Sequence, residues 1–435
     1  NYILGRHFCG FGGGGWGKID PMTGDRILDR TLAGRVMSAA EAAARIGPGE
    51  SVALSGFAGA GHPKAVSEAL GEIRDWPEDV DVRHSRVAQH ALSGFYGTLD
   101  VAVVEVAAIL PNGLLVPGSS VGNNQAWLDL ADKVVLEVNS WHPRGFEGFH
   151  DIHHGSRLPP LRAPIQLTTP TQRIGDPYLL VDPDKVVAVV ETDRPDPGSP
   201  PCPIEEESLA MADLVVDFLR HEVRHDRLHH SLLPLHAGAG DTGDAVLAGL
   251  QKAEFEHLTA YTDTIRDGLL DLLDSGKMIG VSATSFGLSE AGARRFNGDI
   301  HHYKGRVLLR PQEISNHPEV IRRLGLVAID PMVEADVHGN VNATGSSGDF
   351  ASNAHLNFFV APSTAEQGTV SRIVPFVGHV GHTAHDVQVV VTEQGVADLR
   401  GLSPVARARR IIDRCAHPDF REQLTEAAEP ARLSR

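Results

Sequence analysis

A short turn of small residues, Ala237-Gly238-Ala239-Gly240, follows the apolar run Leu232 to Leu235. It leads into Asp241-Thr242 and the periodic apolar positions Ala245, Val246, Leu247 and Leu250. This pattern predicts a strand, a sharp turn and a helix that begins near Thr242. Glycines there let the backbone turn tightly and let a ligand approach N–H groups at a helix N-terminus, where an anion is favoured. Farther along, the carboxylate of Asp263 comes after Leu258 and Tyr261, just before the amphipathic run Ile265, Leu269, Leu270, Leu272 and Leu273. Backbone donors aimed at a developing negative charge, with a carboxylate at hand, are what acyl transfer requires. An ordinary strand–turn–helix followed by an acidic helix start fits the same spacing, so spacing alone leaves both readings open.

The elements that must position these residues are legible from the first half onward. The chain has 435 residues, enough for two domains of ordinary size. Ser38-Ala-Ala-Glu41 is a capping box that opens a helix through Ile46. Pro48-Gly49 turns the chain, Ser51 to Leu54 reads as a buried strand, and Ser55 to Gly61 leads into a helix through Leu70. Here Ala58-Gly59-Ala60-Gly61 repeats the later Ala237 to Gly240, again between a strand and a helix. Two such units, each opening one half of the chain, suggest a duplicated α/β domain. The runs Leu99 to Val106, Val134 to Val138 and Val186 to Val190 are β-branched without alternation, as in parallel strands covered on both faces. Asp193 to Pro203 reads as an exposed crossing segment, and Glu205 to Arg224 as a helix. In the second half, strands are expected near Met278 to Ala283, Arg306 to Leu309, Gly325 to Ile329, Phe358 to Val360, Ser371 to Val377 and Gln388 to Thr392. A closing helix spans Pro404 to Asp413, with Ser403 as N-cap. The expected division is a glycine-rich arm over 1–35, an α/β domain over 36–227, a second over 228–425 and a tail over 426–435.

Composition narrows the function. A formal net charge of −17 argues against nucleic acid and an anionic membrane surface as main partners. No run approaches the length of a membrane-crossing helix. Cys9, Cys202 and Cys415 are scattered and odd in number, which fits a reducing, cytoplasmic setting without a disulfide framework. The run Gly12 to Gly15 has no preceding strand and no following Lys-Ser/Thr, so a flexible arm is expected there and not a phosphate loop.

Several longer phrases carry a more specific signal. VGNNQAWLDLADKVVLEVNSWHP, HDIHHGSRLPP, RIGDPYLLVDPDKVVAVVETDRPD, LRPQEISNHPEVIRRLGLVAI, EADVHGNVNAT, SGDF and TEQGVADLRGLSP resemble the acetyl-CoA hydrolase/transferase family of class I coenzyme A transferases. The likeness runs from about Val36 to Leu424. It implies two similar α/β domains, each a mostly parallel sheet flanked by helices, with the active site between them. It implies a ping-pong reaction of a short-chain acyl-CoA with a small carboxylate or water, no cofactor beyond coenzyme A as substrate, and a homodimer. In such a reaction an enzyme glutamate attacks the thioester, CoA takes over the glutamyl group, and an acceptor carboxylate or water then frees it.

Residue by residue, the resemblance puts CoA binding and oxyanion stabilisation on Gly238, Ala239, Gly240, Asp241 and Thr242, with the Ala239 amide as the chief donor beside Gly240. Val333 falls on another CoA-contacting position, and Glu393 on a second carboxylate that orients the site. Four departures stand out. The nucleophilic glutamate is Asp263 here, a CoA-contacting glycine is Ser346 within a shortened loop, and a CoA-contacting lysine is Glu366. A stretch is also missing before Ser85. A carboxylate one methylene shorter retreats by about 1 Å, a displacement that can cost about 100-fold in rate. A more open site would favour water over a bulky acceptor. Two other readings stand beside this one: an impaired descendant that binds CoA or a partner, and a zinc hydrolase built on His379, His382, His385 and Asp386. The glycines at 378 and 381 favour a loop there over a metal-binding helix face. His150-Asp-Ile-His-His154 is a weaker ligand pattern still, and His221, His225, His229 and His230 read as a solvated helix face running into a turn.

Overall fold

The computed structural model describes residues 26–73, 86–154, 158–199, 204–343 and 348–428. The chain packs into two compact units: Asn1–Pro200 with Thr262–Leu270 and Gly280–Val320, and Pro201–Tyr261 with Asp271–Ile279 and Ile321–Arg435. This division departs from the expected boundary near residue 228. Helix Glu206–Arg224 packs on helix Asp241–Lys252 in the second unit, burying Met211, Val215, Val216 and Leu219. The chain also returns to the first unit after residue 261.

In the first unit, strands are ordered Leu179–Leu180, Leu114–Pro117, Val101–Leu110, Lys133–Asn139 and Val186–Thr192, and Val52–Leu54 pairs with Val101–Leu110. The pairs among Val52–Leu54, Val101–Leu110, Lys133–Asn139 and Val186–Thr192 are parallel. Val101 to Val106 are all buried, as a run without alternation demands. The capping box at Ser38 is present with both of its hydrogen bonds, although the helix stops at Ala43 and Ile46 packs beyond it in a turn. The expected arm over 1–35 is corrected at its end. Ile27 bridges to Ile109 and Leu32 is buried in a short helix capped by Asp29, because apolar side chains there reach the sheet. The run Gly12 to Gly15 and the connector near Trp76 lie outside the described residues.

In the second unit the strands are ordered Leu258–Tyr261, Leu235–Ala237, Val327–Pro331, Leu356–Val360, Val389–Thr392 and Gly395–Asp398. All neighbours are parallel except the last pair, a tight hairpin. Helix Pro404–Cys415 starts at Ser403, whose side chain accepts from the Ala406 amide, and covers this hairpin with Ile411, Ile412 and Cys415. Two expectations shift. The strand predicted at Leu232 begins at Leu235, since Leu232 takes a positive φ of 55° that no strand accommodates. Ser371 to Val377 yields only two two-residue strands, Val370–Ser371 and Ile373–Val374. The last helix, Arg421–Ala428, runs past the expected end at 425.

Candidate active site

Four chain crossings of the second unit leave the sheet at the same edge. Gly238 follows Leu235–Ala237, Val333 follows Val327–Pro331, Ser363 follows Leu356–Val360 and Glu393 follows Val389–Thr392. These are the C-terminal ends of neighbouring parallel strands, where open α/β sheets hold their ligands. Sequence separations of 30 to 95 residues say nothing of this. Strand order brings the positions to one edge.

The turn itself is built for close approach. The Gly238 amide donates to the Ile329 carbonyl at 2.8 Å, and a Cβ on Gly238 would stand 2.7 Å from Pro331 Cδ. Gly240 takes a φ of 138°, which favours glycine, and caps the twelve-residue helix Asp241–Lys252 without any side-chain hydrogen bond. The Thr242 amide is already engaged by Asp241 Oδ1 at 2.8 Å, and Asp241 Oδ2 accepts from Ser208 Oγ at 2.7 Å. Ala239 is exposed, and the Ala239 and Gly240 amides donate to no acceptor among the described residues. These two positions hold open donors at the positive end of a helix.

Glu393 sits in the turn of the last hairpin and is half-buried. Its carboxylate accepts from the Ser363 amide at 2.6 Å, from the Ser363 hydroxyl and from Gln394 Nε2 at 2.9 Å. Burial opposes the charge, but the Ser363 and Gln394 donors outweigh it and hold this carboxyl below its ordinary range. Glu366 is exposed at φ 48°, in the turn joining Thr364–Ala365 to Val370–Ser371. Val333 is 46% exposed. Ser346 and the shortened loop lie outside the described residues.

Asp263 follows Leu258–Tyr261 by two residues and precedes Thr264–Ile265. Its backbone carbonyl accepts from the Thr284 amide at 3.0 Å and the Ser285 amide at 3.1 Å. Thr264–Ile265 pairs in parallel with Ser285–Phe286, so one neighbouring strand of the first unit holds the backbone at and after Asp263.

Sequence reasoning missed a buried polar network in the first unit. Lys64 Nζ meets Glu105 Oε2 at 2.6 Å and Asp196 Oδ1 at 2.8 Å, and His142 Nε2 meets Glu105 Oε1 at 2.8 Å. Burial works against the Lys64 charge, but Glu105 and Asp196 carry its pKa above the ordinary value. Burial likewise opposes the Asp196 charge, and Lys64 overcomes it, holding that carboxyl low. Beside them, Glu137 accepts from the Lys64, Ala65 and Val66 amides at 2.8, 3.0 and 2.9 Å. A carboxylate from a neighbouring strand therefore fills the first AGAG helix start, whereas at the second Asp241 takes its own neighbour's amide and those of Ala239 and Gly240 stay open. The one available signal was a charged residue inside each of two apolar strands, at Glu105 and Glu137.

His150 and His382 take structural places. His150 Nε2 meets the Gly118 carbonyl at 2.9 Å, and burial pushes its pKa down to about 3. Its neighbour Asp151 pairs with the fully buried Arg310. His382 is buried against Ser352 Oγ at 2.9 Å, whereas His379 and His385 are exposed. Among the described residues, no group of three or more His, Cys, Asp or Glu could hold a metal ion.

Comparison with known proteins gives the family. Residues 78–191 match the acetyl-CoA hydrolase/transferase N-terminal domain, and residues 292–428 match the C-terminal domain. The chain is 36% identical to a succinyl-CoA:acetate CoA-transferase of Clostridium kluyveri, over 94% of this chain and 87% of that protein. It is 40% identical to an acetyl-CoA hydrolase of Yarrowia lipolytica, over 85% of this chain and 74% of that one. A propanoyl-CoA:succinate CoA transferase of Escherichia coli is 41% identical, over 81% and 74%. The chain belongs to the acetyl-CoA hydrolase/transferase family.

The fold is shared with RipA from Yersinia pestis, at a TM-score of 0.71 and 20% identity over 92% of this chain and 97% of that one. It is shared also with a 4-hydroxybutyrate CoA-transferase from Porphyromonas gingivalis, at a TM-score of 0.68 and 24% identity over 91% and 97%. Neither the zinc reading nor the impaired reading draws support from these relatives, whose names are those of enzymes. Among the described residues, no helix is long and apolar enough to cross a membrane.

Proposed function

We propose that this member of the hydrolase/transferase family takes a short-chain acyl-CoA and passes its CoA to a small carboxylate or loses it to water, with Asp263 as the reacting carboxylate. An Asp263 oxygen attacks the thioester carbonyl, and the tetrahedral oxyanion is met by the Ala239 and Gly240 amides. The C–S bond breaks and CoA leaves as thiolate. The thiolate then attacks the aspartyl carbonyl of the mixed anhydride, releasing the free acid and leaving an aspartyl-CoA thioester. Water attacks that thioester to free CoA and Asp263; an acceptor carboxylate instead forms a second mixed anhydride and expels CoA thiolate, which attacks the acceptor's carbonyl to give the new acyl-CoA and restore Asp263. Gly238, Asp241, Thr242, Val333, Ser346 and Glu366 border the CoA path in this reading, and Glu393, held charged, orients the reacting groups. The reading needs no cofactor besides CoA, and it places the chain in the cytoplasm as a homodimer.

The observation that carries this reading is the pair of open amides at Ala239 and Gly240, at the start of a twelve-residue helix on the ligand-binding edge of the sheet. A covalent adduct tests it. The protein is incubated with acetyl-CoA, reduced with borohydride, and examined by intact mass and peptide mapping. Reduction of an aspartyl thioester to the alcohol at Asp263 is the expected result. Modification at another residue, or none under turnover, would overturn the assignment.

A further inference from the structure

The buried ion pairs of the first unit end against the segment that holds Asp263. Ser119 Oγ donates to Asp196 Oδ2, and Asp196 Oδ1 takes the Gly61 amide at 3.0 Å as well as Lys64 Nζ. From Ser119 the chain runs antiparallel to the strand that carries Asp263's own partners. The Ser119 carbonyl accepts from the Phe286 amide at 2.9 Å, Ser120 bridges Ser285, and the Val121 amide donates to the Thr284 carbonyl at 2.7 Å. Gly122 N adds a bond to Thr284 Oγ1 at 2.8 Å. Thr284 and Ser285 are the two residues whose amides hold the Asp263 carbonyl.

The charges are costly where they lie. Side-chain exposure is 8% for Lys64, 0% for Glu105, 11% for Asp196 and 0% for His142. Apolar residues of similar size would stabilise such a position as well or better, so stability alone does not account for a buried ion network. Its distinctive property is direction: the paired Asp196 holds Ser119 by one hydrogen bond, and the 119–122 segment holds the 284–286 strand. A reacting carboxylate must be held to a fraction of an ångström.

We propose that Asp196 and Lys64 are positioning residues for Asp263, acting through Ser119 on the strand that clamps its backbone. The inference rests on the reading of Asp263 as the reacting carboxylate. Ser119→Ala tests it, because the substitution cuts the link while Asp196 keeps Lys64 and the Gly61 amide, and no buried charge is left unpaired. Single-turnover formation of the Asp263 adduct from acetyl-CoA should slow by about tenfold. KM for acetyl-CoA and the Tm should stay as in the wild type, and Ser119→Thr, which keeps the hydroxyl, should recover the rate. An unchanged rate in Ser119→Ala, or a loss that follows a lower Tm and is not repaired by threonine, overturns the positioning role. If the wild-type adduct maps elsewhere, both this role and the reading of Asp263 fall. If it maps to Asp263 with an unchanged rate in the variant, only the positioning role falls.

Discussion

At the scale of single residues, the chemistry turns on carboxylates in different settings. Glu393 is held charged by three donors, while the Asp263 carbonyl takes the Thr284 and Ser285 amides and its Oδ1 lies 3.5 Å from Thr262 Oγ1; in the proposed reaction the length of the Asp263 side chain sets how far the nucleophile extends. Asp263→Glu adds one methylene and moves the carboxylate forward by about 1 Å, enough to change the rate by about 100-fold. We expect the variant to form its adduct faster and to shift product towards transfer when acetate or succinate is supplied. Thioester consumption with and without acceptor reads both effects. A wild type that already transfers faster than it hydrolyses, with no gain in the variant, would remove this account of the shorter side chain.

At the scale of elements, the Ala237 to Thr242 turn depends on a close backbone approach. A Cβ on Gly243 would stand 2.4 Å from the Gly238 carbonyl oxygen, so the turn and the helix start cannot keep their spacing in Gly243→Ala. Displacing the Ala239 and Gly240 donors by even 1 Å should lower the acylation rate by about 10- to 100-fold. Gly298→Ala serves as the control, since that helical glycine has nothing within 4 Å of its added Cβ and no positive φ. Equal kinetics for the two variants would mean that the turn is not the oxyanion site.

At the scale of the whole molecule, acid stability carries a specific signature. Glu222, near the end of helix Glu206–Arg224, is bonded to Arg227 Nη2 at 2.7 Å and Arg400 Nη1 at 3.0 Å. Burial pushes its carboxyl up, but the two guanidiniums outweigh this and hold it at about 2, against an ordinary 4.5. A carboxyl depressed by folding contributes stability that is complete above pH 4.5 and is lost as pH falls towards 2. The Tm gap between wild type and Glu222→Gln should therefore close over that window. A gap that stays constant from pH 5 to pH 2 would show that the pairing adds no pH-dependent stability.

Much of the fold and part of the candidate site could be read from sequence, because they rest on local physics. Runs of β-branched residues such as Val101 to Val106 can be satisfied only by strands covered on both faces, and Ser38 and Ser403 mark helix starts by their own hydrogen bonds. The duplicated strand, AGAG turn and helix was legible for the same reason, whereas Glu393 and Val333 entered as candidates only through the resemblance to the family. What depended on contacts between distant residues could not be read this way. Strand order decided that Gly238, Val333, Ser363 and Glu393 leave the sheet at one edge. Packing decided that helix Glu206–Arg224 belongs with Asp241–Lys252, which moved the expected boundary near residue 228. Tertiary structure alone joined Lys64 to Glu105 and Asp196, residues separated by up to 132 positions, because a buried charge is stabilised by whichever opposite charge the fold brings beside it.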